Sequence, residues 1–135
     1  MVRIIDASVA IKWFVQEPGR EQALKVLSEI LDNPRGFAVP ELFFFEMSHV
    51  FLRVVRPPTI KQRQLFEQIL NFGWQRFAMT PELFEQIDEF QRHGLSGYDA
   101  AYVGLAKILN GTWITADKTA HEAIAKLKLS QLLNS

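Results

Sequence analysis

Residues 2–9 read Val-Arg-Ile-Ile-Asp-Ala-Ser-Val, and this stretch decides the fold class. Its apolar run is too short for a helix and rich in β-branched residues, which predicts a buried strand over Val2–Ile5 that ends at Asp6. Ser8 can then open a helical segment over Val9–Val15. A buried strand that passes directly into a helix is typical of an α/β domain.

The rest of the chain repeats this alternation of apolar runs and helical patterns. Further strands are predicted at Phe37–Val39, at Phe77–Met79, at Thr112–Thr115 and, as an edge strand, within Leu127–Leu133. Helices are predicted over Ala23–Leu31, from Pro40 to about Val55, and over Ile60–Phe72, Pro81–His93, Tyr98–Leu109 and Thr119–Lys126. We therefore expect an α/β fold, with three α/β/α layers around a central parallel sheet of four or five strands, in a single domain over residues 1–135.

The composition is that of one ordinary globular domain without net charge. The chain has 135 residues, 48% of them hydrophobic, which suffices for one core but not for two. The most apolar stretch, Val39–Val55, is interrupted by charged side chains and falls short of the ~18 apolar residues of a membrane span. Without cysteine there are no disulfides or thiolate metal sites, and no signal peptide is visible. We expect a soluble, cytoplasmic protein with no membrane partner, in which any metal is held by oxygen or by one of three histidines.

Four carboxylates interrupt sequence that otherwise has the character of a core. Asp6 and Asp117 come just after predicted strands, at the edge of a parallel sheet where open α/β folds bind ligands. Glu46 follows three phenylalanines in the middle of a predicted helix, and Asp99 precedes a run of apolar residues. Because a charge is costly to bury, these four acids are the candidates for function.

Asp6 and Asp117 also have a structural explanation as helix N-caps. Short polar side chains are common at that position. Ser8 and Thr119 are available, however, to cap the first and the last helix. Capping by those hydroxyls would leave both carboxylates free for another role.

The other two acids have structural alternatives as well. Asp99 can be the acidic member of a capping box that Ser96 opens. Glu46 lies in mid-helix, so its structural alternative is an ion pair with Arg53 or another neighbour.

If all four carboxylates meet, their charges decide the chemistry. Like charges at close range raise one another's pKa, so a cation is needed to hold the group together. Ligation by oxygen alone suits Mg²⁺ or Mn²⁺, which keep several waters and favour substrates that carry phosphate. Such an ion lowers the pKa of a bound water and stabilises charge on a phosphodiester. The sequence therefore predicts metal-dependent phosphoryl hydrolysis.

These residues together resemble the acidic motifs of the PIN-domain nucleases. The matching stretches, in order and spacing, are Ile5-Asp6-Ala7-Ser8-Val9, Glu46 in the helix after Val39-Pro40, Tyr98-Asp99-Ala100-Ala101-Tyr102 and Thr115-Ala116-Asp117. The compact size resembles that of the VapC toxins of prokaryotic toxin–antitoxin pairs. The resemblance implies a PIN-like fold, an Mg²⁺- or Mn²⁺-dependent endoribonuclease acting on RNA, and a homodimer inhibited by a small cognate antitoxin protein.

The resemblance also assigns roles to individual residues. It implies that the catalytic, metal-binding acids are Asp6, Glu46, Asp99 and Asp117. Ser8 and Thr115 would orient a carboxylate or a metal-bound water, with simple capping and strand-end hydrogen bonding as the alternative. His49 stands where the family often has asparagine, three residues after the helix glutamate.

A basic segment lies between the third and fourth predicted helices. No acid occurs between Glu46 and Glu67, whereas four cations do: Arg53, Arg56, Lys61 and Arg63. We expect this turn to contact RNA phosphates next to the acidic site, the alternative being an ordinary solvated turn.

The aromatic run Phe43-Phe44-Phe45 cannot face a single interior. Consecutive residues of a helix lie about 100° apart, so the three rings span about 200°. At least one ring is expected to meet a partner.

The sequence lacks the motifs of other protein classes that bind or transfer phosphate. Neither a Gly-x-x-x-x-Gly-Lys-Ser/Thr loop nor Gly-x-Gly-x-x-Gly occurs, and Ser8 stands where a haloacid-dehalogenase-like phosphatase needs a second aspartate. A receiver-like phosphoacceptor domain stays open as an acidic α/β module, although it has no role for Glu46. The best alternative from another class is a catalytically inactive PIN-like module that binds RNA or protein without cutting.

Overall fold

The computed structural model describes residues 1–133 and contains a five-stranded, fully parallel sheet. The strands are β1 (Arg3–Ile5), β2 (Phe37–Pro40), β3 (Gln75–Phe77), β4 (Thr112–Thr115) and β5 (Ser130–Leu132). Their order across the sheet is β3-β2-β1-β4-β5. The predicted α/β class and parallel sheet are confirmed, and the C-terminal segment forms the fifth strand.

Helices connect the strands and cover the sheet. Their bounds are α1 (Ala7–Ala10), α2 (Arg20–Asp32), α3 (Leu42–Val54), α4 (Ile60–Leu70), α5 (Pro81–Gln91), α6 (Gly97–Ile108) and α7 (Lys118–Ile124). Helix α6 contacts β1, β2 and β4, and α5 packs along α6. Among residues 1–133, no helix combines the length and the apolar character that crossing a membrane requires.

The burial of the central strands explains the three layers. All four residues of β2 are buried, and successive strand residues point to opposite faces, so both faces of the sheet are covered. The edge strands β3 and β5 alternate between partly buried and exposed residues. The sheet thus lies between two helical layers, as the sequence predicted.

Two strand ends differ from the prediction. Strand β3 ends at Phe77 instead of beginning there, because Gln75–Phe77 pairs in register with the buried residues of β2. Pro40 is the last residue of β2, opposite Phe77, and not the first residue of the helix that follows. Strand pairing decides both boundaries, and the apolar pattern alone did not reveal it.

The first helical segment is also shorter than predicted. The stretch expected as one helix over Val9–Val15 is the single turn α1 followed by a 3₁₀ turn over Ile11–Trp13.

The backbones of β1 and β4 approach closely at a glycine, and we call this contact between the two strands the seam. A Cβ atom at Gly111 would overlap the carbonyl oxygen of Val2, which in turn accepts a hydrogen bond from the Thr112 N–H at 3.0 Å. A glycine at this position lets β4 enter the sheet directly beside β1. This seam brings together the two ends of the chain that carry Asp6 and Asp117.

Candidate active site

Two of the predicted acids lie where the strand order reverses. From β1 the chain extends the sheet through β2 and β3 to one side, and β4 then adds on the other side of β1. Asp6 directly follows β1, and Asp117 lies two residues beyond β4. Parallel sheets form a crevice at such a reversal, outside the carboxyl ends of the strands.

Asp6 is buried and held by three hydrogen bonds. Its Oδ1 accepts from the backbone N–H of Ser8 at 3.0 Å and from the Ser8 hydroxyl, and its Oδ2 accepts from Nε1 of Trp113 at 2.9 Å. Burial raises the pKa of Asp6 to about 6, the hydrogen bonds oppose that rise, and the charge of Asp99 adds to it.

Ser8 and Thr115 connect the ends of β1 and β4. The Ser8 Oγ accepts from the Ala116 N–H at 2.9 Å and lies 3.3 Å from Oγ1 of Thr115, which accepts from the Asp117 N–H at 3.1 Å. Because Ser8 donates its only proton to Asp6, the Thr115 hydroxyl donates to Ser8. The structure thus places both predicted hydroxyl residues in a chain of hydrogen bonds that ends on Asp6.

The prediction that Ser8 and Thr119 cap the flanking helices is wrong. Asp6 is the N-cap of α1 through the Ser8 N–H, and Asp117 is the N-cap of α7 because its Oδ1 accepts from the Ala120 N–H at 3.0 Å. Each helix begins one residue after its aspartate, so the two hydroxyl residues lie inside the first turn. Both aspartates therefore have a structural role at the site.

Glu46 presents a buried oxygen without a partner. Its Oε1 is inaccessible and makes no hydrogen bond, and across residues 1–133 Glu46 forms no ion pair with Arg53 or any other cation. The hydroxyl of Tyr102, on α6, is also buried without a hydrogen bond. It is near enough to influence the pKa of Glu46, although the two oxygens do not meet in hydrogen-bond geometry.

Burial and neighbouring negative charges raise the pKa values of Glu46 and Asp99. The pKa of Glu46 is raised by burial and, to a smaller extent, by the charges of Asp6 and Asp99. The pKa of Asp99 is raised by burial and by the charge of Asp117, while the Asp99 N–H donates to the Ser96 hydroxyl at 3.1 Å. Asp99 is thus within electrostatic reach of each of the other three predicted acids, and Asp6 is within reach of Glu46.

The four acids do not form a complete set of metal ligands within residues 1–133. Among residues 1–133, no three Asp, Glu or His side chains converge closely enough to chelate an ion by themselves. This spacing is compatible with a hydrated Mg²⁺ or Mn²⁺, which takes one or two carboxylates directly and keeps several waters. Such an ion would supply a partner for the Oε1 of Glu46. It would also counter the burial and the neighbouring negative charges that raise the pKa values of Glu46 and Asp99.

An open groove adjoins Glu46. It encloses about 410 Å³ and is lined by Leu42, Phe45, Glu46, His49, Val50 and Tyr98. Of the phenylalanine run, Phe43 and Phe44 are buried, whereas Phe45 is 74% exposed and forms part of this groove. A larger surface depression, lined chiefly by α4, contains none of the four acids. We therefore regard the smaller groove as part of the site.

The predicted RNA-binding residues form an exposed basic turn. Arg53, Arg56, Lys61 and Arg63 are exposed, and none makes an ion pair within residues 1–133. Arg53 lies seven residues after Glu46 on α3, which puts the two on one face roughly 10 Å apart along the axis. A basic surface thus begins about two helical turns from the acids.

Two aromatic residues at the site escaped the sequence analysis. Trp113 is predicted only as part of a strand and Tyr102 only as the last residue of the Asp99 motif, yet the first donates to Asp6 and the second lies near Glu46. Alternation along β4 puts Trp113 on the same face as Thr115, and that signal is readable from sequence.

The amino-acid sequence is similar to a known protein family and to a curated relative. The family model of the PIN domain matches residues 3–127. The chain is 26% identical over 133 residues to Ribonuclease VapC3 of Pyrobaculum aerophilum, an alignment that covers 94% of this chain and 98% of that protein.

Solved structures show the same fold. A toxin–antitoxin complex from Klebsiella pneumoniae contains a chain that superposes with a TM-score of 0.70 at 15% identity, covering 96% of this chain and 95% of that one. The crystal structure of PAE2754 from Pyrobaculum aerophilum gives 0.68 at 18% identity, covering 98% and 84%.

Proposed function

The chain belongs to the PIN-domain family, and from that premise we propose that it is an Mg²⁺- or Mn²⁺-dependent endoribonuclease, the toxin of a toxin–antitoxin pair. The observation that carries the proposal is the gathering of Asp6, Glu46, Asp99 and Asp117 at the reversal of the strand order. The similarity to a curated VapC ribonuclease over nearly the whole chain supports the same activity.

The four acids would hold the metal, and the rest of the chain positions them. When bound, such an ion supplies a water of lowered pKa and neutralises charge on the phosphodiester. Ser8 and Trp113 fix the carboxylate of Asp6, and Thr115 holds Ser8 in place. Glu46 lines the groove and is within reach of the charges of Asp6 and Asp99, so its carboxylate would contribute both to the metal site and to the substrate groove.

The basic turn is the proposed RNA-binding surface. Arg53, Arg56, Lys61 and Arg63 are not engaged by carboxylates of residues 1–133, so their charges are available to phosphates. His49 lies beside Glu46 in the groove and would contribute to the same surface. Phosphate contacts of this kind fix the position of the strand without reading its sequence.

The proposed partners follow from the family and from the exposed apolar surface. A small cognate antitoxin is proposed because the structural relative from Klebsiella pneumoniae is a toxin–antitoxin complex. A homodimer is proposed because Phe45, exposed on α3, offers apolar surface to a second chain. The protein is proposed to act in the cytoplasm.

One observation favours a second candidate, a catalytically inactive PIN-like module that binds RNA or protein. Within the described chain, no three acids close into a chelating group. A module of this kind would retain RNA without needing a metal, and that property separates the two candidates.

The deciding experiment measures metal binding and RNA cleavage together. Mn²⁺ at about 100 times its Kd should add on the order of 2.7 kcal/mol to the free energy of unfolding, or roughly 10 °C in Tm, and support cleavage of single-stranded RNA. Asp6→Asn and Asp99→Asn should each abolish the metal-dependent rise and slow cleavage by roughly 100-fold or more, about 3 kcal/mol.

The matched control is Asp88→Asn. Asp88 is an exposed acid on α5 that pairs with Arg92, away from the site. This variant should retain both metal binding and cleavage. A wild-type protein that binds RNA intact and ignores Mn²⁺ would replace the nuclease by the binding module.

A further inference from the structure

We propose that Trp113 is a positioning residue whose indole N–H fixes the direction in which Asp6 presents its one free lone pair to a divalent cation. The inference rests on the proposed function, because it concerns how Asp6 would bind the metal. It assigns a polar role at the site to a side chain that is completely buried in the core.

The carboxylate of Asp6 accepts three hydrogen bonds, which leave one of its lone pairs free. A carboxylate has about four lone-pair positions, two on each oxygen. Oδ1 uses both of its positions on Ser8, by accepting from the N–H and from the hydroxyl. Oδ2 accepts one bond, from Nε1 of Trp113 at 2.9 Å; the Thr115 hydroxyl is near enough to lower the pKa of Asp6 but does not meet either oxygen in hydrogen-bond geometry. The remaining lone pair therefore belongs to Oδ2, the oxygen that Trp113 holds.

The position of Trp113 in the sheet explains why it reaches Asp6. Trp113 pairs with Ile4 between the neighbouring strands β4 and β1, and Asp6 lies two residues beyond Ile4. The side chains of all three residues therefore point to the same face of the sheet. Tyr102 stacks against the indole with nearly parallel rings, 6.3 Å between centroids. Tyr102 thus packs against one face of the indole, and the ring N–H donates to Oδ2 of Asp6.

The three tryptophans of the chain form a natural control set. All three are buried. Nε1 of Trp13 donates to the backbone carbonyl of Ala23 at 2.8 Å, and Nε1 of Trp74 has no hydrogen-bond partner among residues 1–133. Tryptophan to phenylalanine therefore breaks a bond to a site acid at 113, a structural bond at 13 and no bond at 74.

The test compares Trp113→Phe, Trp13→Phe and Trp74→Phe by calorimetric titration with Mn²⁺. Trp113→Phe should weaken Mn²⁺ binding by roughly 10- to 100-fold, as expected when the partner that orients a metal ligand is lost. It should also lower kcat for RNA cleavage with little change in KM. The other two variants should keep the wild-type Kd within about twofold, even where their Tm falls.

A second measurement remains decisive if Trp113→Phe does not fold. In the wild-type protein, the three indole N–H signals of a ¹⁵N–¹H spectrum can be assigned from the two control variants and by elimination. Titration with Mg²⁺ alone should shift the Trp113 signal well beyond the other two, because its acceptor oxygen changes charge environment.

The outcomes separate the two proposals. A wild-type protein that binds Mn²⁺ and cleaves RNA, but whose Trp113→Phe variant keeps the same Kd or whose Trp113 signal does not respond to Mg²⁺, overturns the role of Trp113 alone. A wild-type protein that neither binds Mn²⁺ nor cleaves RNA overturns both.

Discussion

Asp6 and Glu46 are like charges of one candidate site, yet their surroundings differ. Asp6 accepts three hydrogen bonds, from both donors of Ser8 and from the indole of Trp113. Within residues 1–133, Glu46 has a buried oxygen with no partner, and the nearby Tyr102 hydroxyl has none either. The protein itself supplies hydrogen bonds to both oxygens of Asp6, whereas it leaves one oxygen of Glu46 unsatisfied.

The difference follows from the elements that carry the two acids. Asp6 lies at the end of a central strand, where Trp113 of the neighbouring β4 and Ser8 of the following helix supply its donors. Glu46 lies on α3 beside an open groove and near Tyr102 of α6, and within residues 1–133 its Oε1 accepts no hydrogen bond. Buried oxygens without partners are costly, so the Glu46 side is the place where an ion, water or substrate gains most.

The largest effect that would sharpen this comparison is the pH dependence of stability without metal. Asp6 has a pKa of about 6 when folded and an ordinary value of 3.8, so between these values the folded state binds more protons than the unfolded state. The free energy of unfolding should therefore fall as pH rises from about 4 to about 7, by about 3 kcal/mol from Asp6. Glu46 and Asp99, whose pKa values are also raised, act in the same direction.

Urea unfolding at several pH values in the presence of EDTA measures this slope. Asp6→Asn, which cannot ionise at this position, should flatten it markedly. Equal slopes for the wild type and for Asp6→Asn would show that Asp6 does not dominate the site's electrostatics.

The next effect compares Asp6→Asn with Glu46→Gln at pH 4.5, where the charge of Asp6 contributes little. An amide at position 6 must turn its NH₂ toward either Ser8 or Trp113, both of which are donors. Asp6→Asn should therefore lower the free energy of unfolding by about 1–3 kcal/mol. Glu46→Gln breaks no hydrogen bond and should leave it unchanged or raise it. Similar losses in the two variants would remove the distinction between the surroundings of Asp6 and those of Glu46.

The smallest effect compares two buried hydroxyls. Thr115→Val removes the acceptor for the Asp117 N–H and the donor to Ser8, and should cost about 1–2 kcal/mol in urea unfolding. Tyr102→Phe removes a hydroxyl that has no partner, and should cost less than about 0.5 kcal/mol. If Tyr102→Phe costs as much as Thr115→Val, then the Tyr102 hydroxyl is satisfied in solution.

Much of the fold and the identity of the acids could be predicted because their signals are local. The alternation of strands and helices and the placement of Asp6 after Ile4-Ile5 are readable within a few residues. The capping prediction for Ser8 and Thr119 was wrong because several short polar residues compete for one cap. The exact start of each helix decides among them, and that start is not fixed by the pattern.

The alternation of strands and helices, and the presence of four acids where burial is costly, can be recognised from the order of the residues alone. The groups that surround each acid depend on contacts between distant parts of the folded chain. Trp113 and Asp6 are 107 residues apart, and they meet because β4 adds beside β1 at the reversal of the strand order. An aromatic side chain looks apolar in a sequence, and its single N–H acquires a role only when the fold brings an acceptor to it.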